Sequence, residues 1–436
     1  MYKKFLLAVC ILLLGYDLCY SQYKKSFTLG EAISEAMKNN TELVNARFDK
    51  MKASEKVTQT YNENLVPSFS LTSQYSHAYK KPVFIIFDQT YEIGTDNTIT
   101  HTLNASEPIP FLGTPVFSGI RIAEYYENLQ RENVTSIESK VKKEVKKAYY
   151  NVLFLKEVLD VNRKSLQNSV DNFTVVETRF KNGAETEFDF LRAKVKVEST
   201  KPTVSQAENN LEISKKLFKN TIGLKTGEDI DVKGILTYDS TEIFGSTDDI
   251  LRKIAESNVS VRQLNISQLI NKELVTIDKA GFLPKFYLFA QYQLSANEDN
   301  SKNLFNYRYY NIFNAGIGMS WDLNFFSNSN KKSQSELEVR KTNESIADVK
   351  QKLKISGQNI LSKMDDAKNR IKANMETVKL AERGYELANI SFKNGVINQI
   401  DVLDAELTLN QTKLAYLQAI YDYLEAKADL EELLER

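Results

Sequence analysis

The sequence predicts a mixed α/β membrane protein in which long coiled helices are joined to a few amphipathic β-strands within an internal duplication. Three observations predict this fold. The stretch FKNG occurs at Phe180–Gly183 and again at Phe392–Gly395. Residues 331–436 contain no proline, which is typical of very long helices. Four other segments alternate between apolar and polar residues, which is the period of a β-strand.

The first residues have the pattern of a secretory signal peptide. Lys3 and Lys4 precede an apolar run from Phe5 to Leu14, and small residues lead up to a cleavage position before Gln22. The apolar run is shorter than the roughly 20 residues that span a bilayer. We therefore expect residues 1–21 to be removed and the mature chain to lie outside the cytoplasm.

Both cysteines, Cys10 and Cys19, lie within this predicted signal peptide. The mature chain is therefore expected to contain no disulfide framework and no thiolate site. Lipid attachment at Cys19 is disfavoured, because Leu18 stands where a small side chain is preferred.

The composition argues against an enzyme and against a nucleic-acid-binding protein. The chain has 57 basic and 57 acidic residues, so its formal net charge of zero does not attract a polyanion. It has only two histidines, His77 and His101, and it contains no Gly-rich phosphate loop and no pattern of nucleophile and base. We expect no catalytic residues, no cofactor and no metal site.

The duplication divides the chain into a first repeat at 22–222 and a second repeat at 247–436, joined by a Gly- and Asp-rich linker at 223–246. Besides FKNG, the two copies share three aligned pairs, which are Asp189 with Asp401, Leu191 with Leu403 and Ala193 with Ala405. Each repeat is predicted to contain a helix, two strands and then long helices. The predicted strands lie at about 65–79, 99–111, 283–295 and 309–325, and the predicted helical tips lie near 181–187 and 393–399.

The helices are predicted to be unusually long. Runs of roughly 55–60 helical residues would extend about 80–90 Å. Between Val116 and Leu283 the only proline is Pro202, which is expected to kink or interrupt its helix.

The last helix has two adjacent apolar stripes. One stripe consists of Leu403, Leu407, Asn410, Leu414, Leu417, Tyr421, Leu424 and Ala428. The other consists of Val402, Ala405, Leu409, Thr412, Tyr416, Ala419, Tyr423 and Ala426. Twin stripes predict packing against neighbours on both sides, as in a sheet of helices that curves into a tube.

The alternating segments carry small uncharged polar residues on one face, as in PSFSLTSQYSHAY at 67–79. Their lengths exceed the 9–11 residues with which a tilted strand crosses a bilayer, and aromatic residues collect near their ends. These features favour membrane strands over a soluble sandwich with one buried face. Four strands cannot close a barrel, which needs about eight, and lipid does not tolerate an open sheet edge. We therefore expect a homo-oligomer whose subunits share one barrel.

Together these features resemble the TolC-like outer-membrane efflux proteins, the outer membrane factors. The resemblance extends over the mature chain, and its most specific part is FKNG followed by DVLDAE at 392–406. It implies a homotrimer whose 12-stranded transmembrane β-barrel, with four strands per chain, lies in the outer-membrane lipid of a Gram-negative bacterium. The barrel would continue into a long periplasmic α-helical coiled-coil barrel.

The resemblance also implies a function and partners. The protein would be the exit duct of a tripartite efflux or type I secretion system. It would dock to a periplasmic adaptor, the membrane fusion protein, and to an inner-membrane transporter of the RND or ABC type. The sequence does not distinguish a drug, a metal, a peptide or a protein as cargo.

The resemblance assigns roles to residues around the two FKNG stretches. Asp401 and Asp404 match the acidic positions that narrow the closed tunnel entrance, and Asp189 matches an aspartate of the latch that keeps it shut. The positions that match the adaptor-contacting helical tips are Asn182, Gly183, Ala184, Asn394, Gly395 and Val396.

The latch pattern of the family is not conserved in this chain. Phe392 and Ile397 stand where a tyrosine and an arginine are found in the best-known member, and Arg192 stands at the first-repeat position equivalent to Asp404. We hypothesise that Arg192 pairs with Asp401 or Asp404 across neighbouring tips and belongs to the periplasmic pore gate.

Simpler interpretations remain for the same residues. Asn-Gly after a helix is an ordinary C-terminal cap, and an aspartate three residues after Thr186 or Asn398 is a passable N-terminal cap. For the whole chain, the alternative function is a periplasmic coiled-coil adaptor or scaffold without a membrane barrel. That alternative explains the helices but not the four alternating strands.

Overall fold

The computed structural model describes residues 25–110, 114–224, 230–239, 245–299, 303 and 306–435. The predicted signal peptide, with Cys19, lies outside these residues. The chain divides into two compact units. The first unit consists of Met1–Ala46, Thr135–Asn258 and Lys350–Arg436, and the second consists of Arg47–Val134 and Val259–Val349.

Long helices dominate the fold. They are α1 Leu29–Asn39, α2 Thr41–Leu65, α3 Val116–Lys181, α4 Glu187–Thr221, α5 Thr247–Ser257, α6 Val259–Ala280, α7 Phe325–Lys393 and α8 Gln399–Leu433. Helices α3 and α7 have 66 and 69 residues, so each extends about 100 Å, farther than the sequence predicts. None of the helices in the described part of the chain combines the length and the apolar character needed to cross a bilayer.

Local caps explain where helices begin. Before α1, the backbone N–H of Thr28 donates to Glu31 Oε2 at 2.8 Å, and the Glu31 N–H donates to Thr28 Oγ1 at 3.4 Å. This reciprocal pair is a capping box. Before α5, the N–H of Asp249 donates to Ser246 Oγ at 3.2 Å, which satisfies a free donor of the first turn.

Pro202 does not interrupt its helix. Helix α4 continues from Glu187 to Thr221 with Pro202 inside it. Proline removes one backbone hydrogen bond, but the same helix buries Val204, Ala207 and Leu211 along one face. This burial offsets the cost of the lost hydrogen bond, so the predicted break is absent.

The strands form one larger sheet and two small pairs. They are β1 Lys25–Phe27, β2 Ser68–His77, β3 Val83–Ile86, β4 Gln89–Glu92, β5 Asn97–Pro108, β6 Ile230–Val232, β7 Lys285–Glu298 and β8 Tyr309–Ser320. The larger sheet has the order β2-β5-β7-β8 and is antiparallel throughout. Strands β5 and β7 join the two halves of the chain, and β2 and β8 form the edges.

The register of this sheet separates an apolar face from a polar one, because successive residues of a strand point to opposite faces. One row across the four strands is apolar and consists of Leu71, Leu103, Tyr292 and Phe313. The neighbouring row on the opposite face is polar and consists of Ser70, Asn104, Gln291 and Asn314.

Two features of the strands are not predicted. Strands β3 and β4 form a hairpin whose turn residues, Phe87 and Asp88, have left-handed φ angles of 50° and 59°. Such angles at both turn positions match the twist of a hairpin. Within the segment expected to be a linker, β6 pairs in parallel with β1, so that Ile230 lies opposite Lys25 and Val232 lies opposite Phe27.

The main hydrophobic core lies in the first unit. Phe27, Ile230 and Val232 are buried there together with Phe218 of α4 and Tyr423 of α8. The larger aromatic rings pack edge to face, with 6.4 Å between the ring centroids of Phe27 and Phe218.

The two stripes of α8 differ in burial. In the second stripe Val402, Leu409, Ala419, Tyr423 and Ala426 are buried within the chain. In the first stripe only Leu424 and Ala428 are buried, and Leu407 is 49% exposed. One stripe therefore packs within this chain, whereas much of the other remains partly uncovered.

Candidate functional site at the helical tips

The first tip is the turn at 182–186 between α3 and α4. Gly183 has a φ of 71°, the left-handed conformation that glycine adopts most readily. The N–H of Ala184 donates to the Arg179 carbonyl at 2.9 Å, and the N–H of Gly183 donates to the Phe180 carbonyl at 3.0 Å. These two bonds form a Schellman cap of α3.

The second tip, at 394–398 between α7 and α8, has the same geometry. Gly395 has a φ of 73°. The N–H of Val396 donates to the Ser391 carbonyl at 2.9 Å, and the N–H of Gly395 donates to the Phe392 carbonyl at 2.9 Å. The repeated FKNG is therefore explained by the end of a helix that must turn sharply.

Asp189 and Asp401 take part in the start of the returning helices. The Asp189 N–H donates to Thr186 Oγ1 at 3.1 Å, and Thr186 Oγ1 donates to Asp189 Oδ2 at 2.5 Å. At the second tip the Asn398 N–H donates to Asp401 Oδ2 at 3.1 Å. Both carboxylates also lie in a first helical turn, where the helix dipole favours negative charge. The local interpretation of these two aspartates as caps accounts for these backbone contacts.

Arg192 forms its contacts within its own tip. Its Nη1 lies 3.1 Å from Asp189 Oδ1, and its guanidinium carbon lies 4.4 Å from the ring centroid of Phe188. The hypothesis that Arg192 pairs with Asp401 or Asp404 concerns neighbouring subunits and stays a prediction.

Asp404 follows Asp401 by three residues, so both side chains lie on the same side of α8. Both residues are exposed in the single chain. An exposed pair of carboxylates on one side of a helix is available to line an aqueous passage.

The predicted adaptor positions are accessible. Asn182, Gly183, Ala184, Asn394, Gly395 and Val396 are all exposed. Val396 presents an apolar side chain to solvent and is 74% exposed. Contact of these residues with an adaptor stays a prediction.

Sequence reasoning missed a direct link between the two tips. Arg179, in the last turn of α3, donates from Nη2 to the carbonyl oxygens of Phe392 at 2.7 Å and Lys393 at 3.0 Å. Its guanidinium carbon also lies 4.6 Å from the ring centroid of Phe392. The cation therefore binds the free carbonyls at the carboxyl end of α7, where the helix dipole favours positive charge.

A signal for this link was present in the sequence. The first copy reads RFKNG and the second reads SFKNG, so Arg179 is aligned with Ser391. The difference alone does not reveal the contact, because a cation in the last turn of any helix is common.

The tips share a small hydrophobic cluster of their own. Val176, Ala193, Phe392 and Val402 are buried in it, and they come from α3, α4, α7 and α8 respectively. Phe180 stacks on Phe190 with 5.0 Å between the ring centroids. The phenylalanine at 392 is thus buried in the cluster that joins both hairpins.

The two histidines lie in the sheet and contact neutral residues. His77 Nδ1 lies 2.8 Å from Asn97 Oδ1, and His101 Nδ1 lies 2.9 Å from Ser73 Oγ.

The sequence also matches a known protein family. Residues 32–223 and 250–435 match the model of a family described as outer membrane efflux protein. The chain belongs to this family. TolC-like membership, predicted from the repeated FKNG and the four strands, is confirmed.

Among relatives of this outer membrane efflux protein, the outer membrane protein TolC of Vibrio cholerae is 22% identical over 427 residues. The match covers 91% of this chain and 88% of that protein. Two solved structures share the fold. The CmeC outer membrane channel of Campylobacter jejuni has a TM-score of 0.78 and 16% identity, covering 93% of this chain and 85% of CmeC. The open-state MtrE outer membrane channel of Neisseria gonorrhoeae has a TM-score of 0.73 and 17% identity, and the match covers 93% of this chain and 88% of MtrE.

Proposed function

We propose that this chain is the outer-membrane exit duct of a tripartite efflux or type I secretion system. It would conduct substrates passively from a periplasmic adaptor and an inner-membrane transporter to the outside. The chain's membership of the outer membrane efflux protein family supports the efflux role. The adaptor, the transporter and the cargo are carried over from the family resemblance.

The single observation that carries the proposal is the four-stranded sheet. Its strands β2, β5, β7 and β8 have 10, 12, 14 and 12 residues, enough to cross a bilayer when tilted. One face is apolar and the opposite face bears uncharged polar rows, as a lipid-facing wall around water requires. The alternative of a periplasmic scaffold gives no reason for such a sheet.

The edges of this sheet support a homo-oligomer. Strands β2 and β8 are edge strands within the chain, and unpaired backbone groups are very costly in lipid. Joining β8 of one subunit to β2 of the next removes both edges. Three subunits would give the 12 strands of the family's barrel.

The helical tips would form the periplasmic gate and the adaptor contact. Under three-fold symmetry Asp401 and Asp404 each become a ring of three carboxylates, which attracts cations in a narrow passage. Arg192 would face such a ring from a neighbouring tip. If Arg192→Ala leaves the leak conductance unchanged, this role of Arg192 is wrong.

The test is reconstitution of the full chain in a planar lipid bilayer, together with its mass in detergent by light scattering. We expect heat-modifiable trimers that fractionate with the outer membrane and form conducting channels. A soluble periplasmic monomer without conductance would instead support the adaptor or scaffold alternative. The cargo would be sought by testing export in cells with each class of inner-membrane transporter.

A further inference from the structure

A carboxyl group is buried close to the second tip. Glu406 of α8 is 2% exposed, and it lies about two helical turns from Gln399, the first residue of α8. Charged side chains are almost never fully buried unless they are paired. The groups around Glu406 therefore decide whether its carboxyl is charged or neutral.

The hydrogen-bond partners of Glu406 are neutral. Ser165 of α3 donates from Oγ to Glu406 Oε1 at 3.0 Å, and Asn410 Nδ2 donates to the same Ser165 Oγ at 3.0 Å. Ser165 is 7% exposed, and Ser169, one turn farther along α3, is 2% exposed. Glu406 thus lies in a buried polar cluster between α3 and α8.

Each element packed around Glu406 contributes a polar or charged group. These groups are Ser165, Asn168 and Asp171 on α3, Lys196 on α4, Tyr385 on α7 and Asn410 on α8. Burial raises the pKa of Glu406 above its ordinary value, and the opposing effects of Lys196, Ser165, Asn410 and Asn168 are smaller. Burial, with Glu406 and Asp171 nearby, raises the pKa of Tyr385 to about 12, so this phenol stays neutral and does not compete for the proton.

Water has access to this cluster. Asn168, Tyr385 and Asn410 also line an open pocket of the first unit, whose other walls include the ion pairs Lys164–Asp160 and Lys413–Glu382. Solvent therefore reaches side chains that surround Glu406 without unfolding of the helices.

Some buried polar atoms of α8 and α3 near the tip have no hydrogen-bond partner in the described part of the chain. Gln399 is 3% exposed, and neither of its side-chain amide atoms has a hydrogen-bond partner in the described part of the chain. The same holds for Asn172 Oδ1 on α3. A buried polar group without a partner destabilises the packing around it. The helices near this tip are therefore held less firmly than a fully satisfied interface would be.

We propose that Glu406 is a proton-binding site through which the periplasmic pH sets how firmly α8 packs on α3 near the tips. The proposal rests on the proposed duct function for its biological meaning, since these tips would form the gate. The proton-bound carboxyl fits the neutral cluster, and ionisation leaves a charge that the cluster solvates poorly.

The direction of the pH dependence follows from the raised pKa. The packed state binds the proton more tightly than a state in which α8 has moved away and Glu406 is hydrated. The stabilisation by Glu406 is complete below the ordinary pKa of a glutamate and is lost as the pH rises through the raised value. Acidic conditions therefore stabilise the packing, and alkaline conditions loosen it.

The test is hydrogen exchange of the full chain in detergent, comparing Glu406→Gln with the wild type at each pH from 5 to 9. The glutamine has the same shape, accepts from Ser165 and has no proton to lose. The comparison at equal pH cancels the intrinsic pH dependence of amide exchange. We expect the two proteins to differ least at pH 5, near the ordinary pKa of a glutamate, in peptides of α3 and α8 near the cluster. As the pH rises toward the raised pKa, the wild type should exchange faster by up to about tenfold per pH unit, and the difference should stop growing above the raised pKa.

Glu382→Gln is the matched control. Glu382 lines the same pocket, but its side chain is 51% exposed and forms an ion pair with Lys413. We expect this variant to keep the wild-type pH dependence. Equal exchange of the wild type and Glu406→Gln at every pH, or the same effect from Glu382→Gln, would overturn the proposal.

The conductance of the same variants separates this proposal from the duct function. If the duct also exists, the wild-type conductance should rise with pH more steeply than that of Glu406→Gln. Absence of conductance together with a pH-dependent exchange difference would overturn the duct and leave the proton site intact.

Discussion

Single residues explain much of the tips. Gly183 and Gly395 turn the chain, Asp189 and Asp401 begin the returning helices, and Arg179 joins the two hairpins. The aspartates and glycines were predictable because caps depend on the nearest few residues. The role of Arg179 was not, because its acceptors lie on a helix more than 200 positions away in the chain.

Replacing Arg179 by alanine should loosen the second tip. The variant loses two charge-assisted hydrogen bonds, each of which contributes about 1.5–3 kcal/mol, and the contact with the Phe392 ring. We expect at least tenfold faster hydrogen exchange in the last turn of α7. Arg163→Ala is the control, because Arg163 lies on the same helix α3 but forms its ion pair with Glu208 of α4, and it should leave the last turn of α7 unchanged. Equal effects of both variants would argue against a specific link.

At the scale of elements, the periodicity of the sequence predicted most of the helices and strands, but it did not predict which strands pair. The existence of the long helices and of the four sheet strands follows from local patterns. The parallel pair of β1 and β6 was missed, because its two strands of three residues are too short for a pattern and meet only in the tertiary structure. Of the two outcomes expected at Pro202, a kink or an interruption, the interruption was wrong, since burial along α4 stabilises the helix on both sides of the proline.

The left-handed glycines give an element-scale prediction. Gly183→Ala and Gly395→Ala should each cost about 1–2 kcal/mol, because a Cβ is unfavourable at a φ of 71° or 73°. Hydrogen exchange at the tip should accelerate roughly five- to thirtyfold. Gly384→Ala is the control, since Gly384 lies inside α7 and a Cβ there meets nothing within 4 Å. That variant should instead slow exchange in α7, because alanine favours a helix by about 1 kcal/mol.

At the scale of the whole molecule, the sheet and one stripe of α8 leave surfaces uncovered in the single chain. The sheet has two edges and an apolar face, and Leu407 of α8 is half exposed. A single chain leaves these surfaces in water. The proposed trimer in the outer membrane would cover them with subunits and lipid.

A pair of lysine substitutions tests the orientation of the sheet. Phe313 lies on the apolar face and Asn314 on the polar face of β8. If the apolar face meets lipid, Phe313→Lys should cost about 2–4 kcal/mol and reduce the yield of folded trimers in membranes. Asn314→Lys should assemble normally and alter only the ion selectivity of the channel. Normal assembly of Phe313→Lys would show that this face does not lie in the bilayer.

The sequence by itself determined the kinds of element, the turns at FKNG and the alternation of the strands, because each depends on residues close together in the chain. Only the tertiary structure decided that Arg179 binds the end of α7, that β6 pairs with β1 and that Glu406 is buried beside Ser165. These three depend on the meeting of segments distant in sequence. In sequence Glu406 is one more polar residue of a long helix, and it becomes a candidate proton site only because α3 covers it.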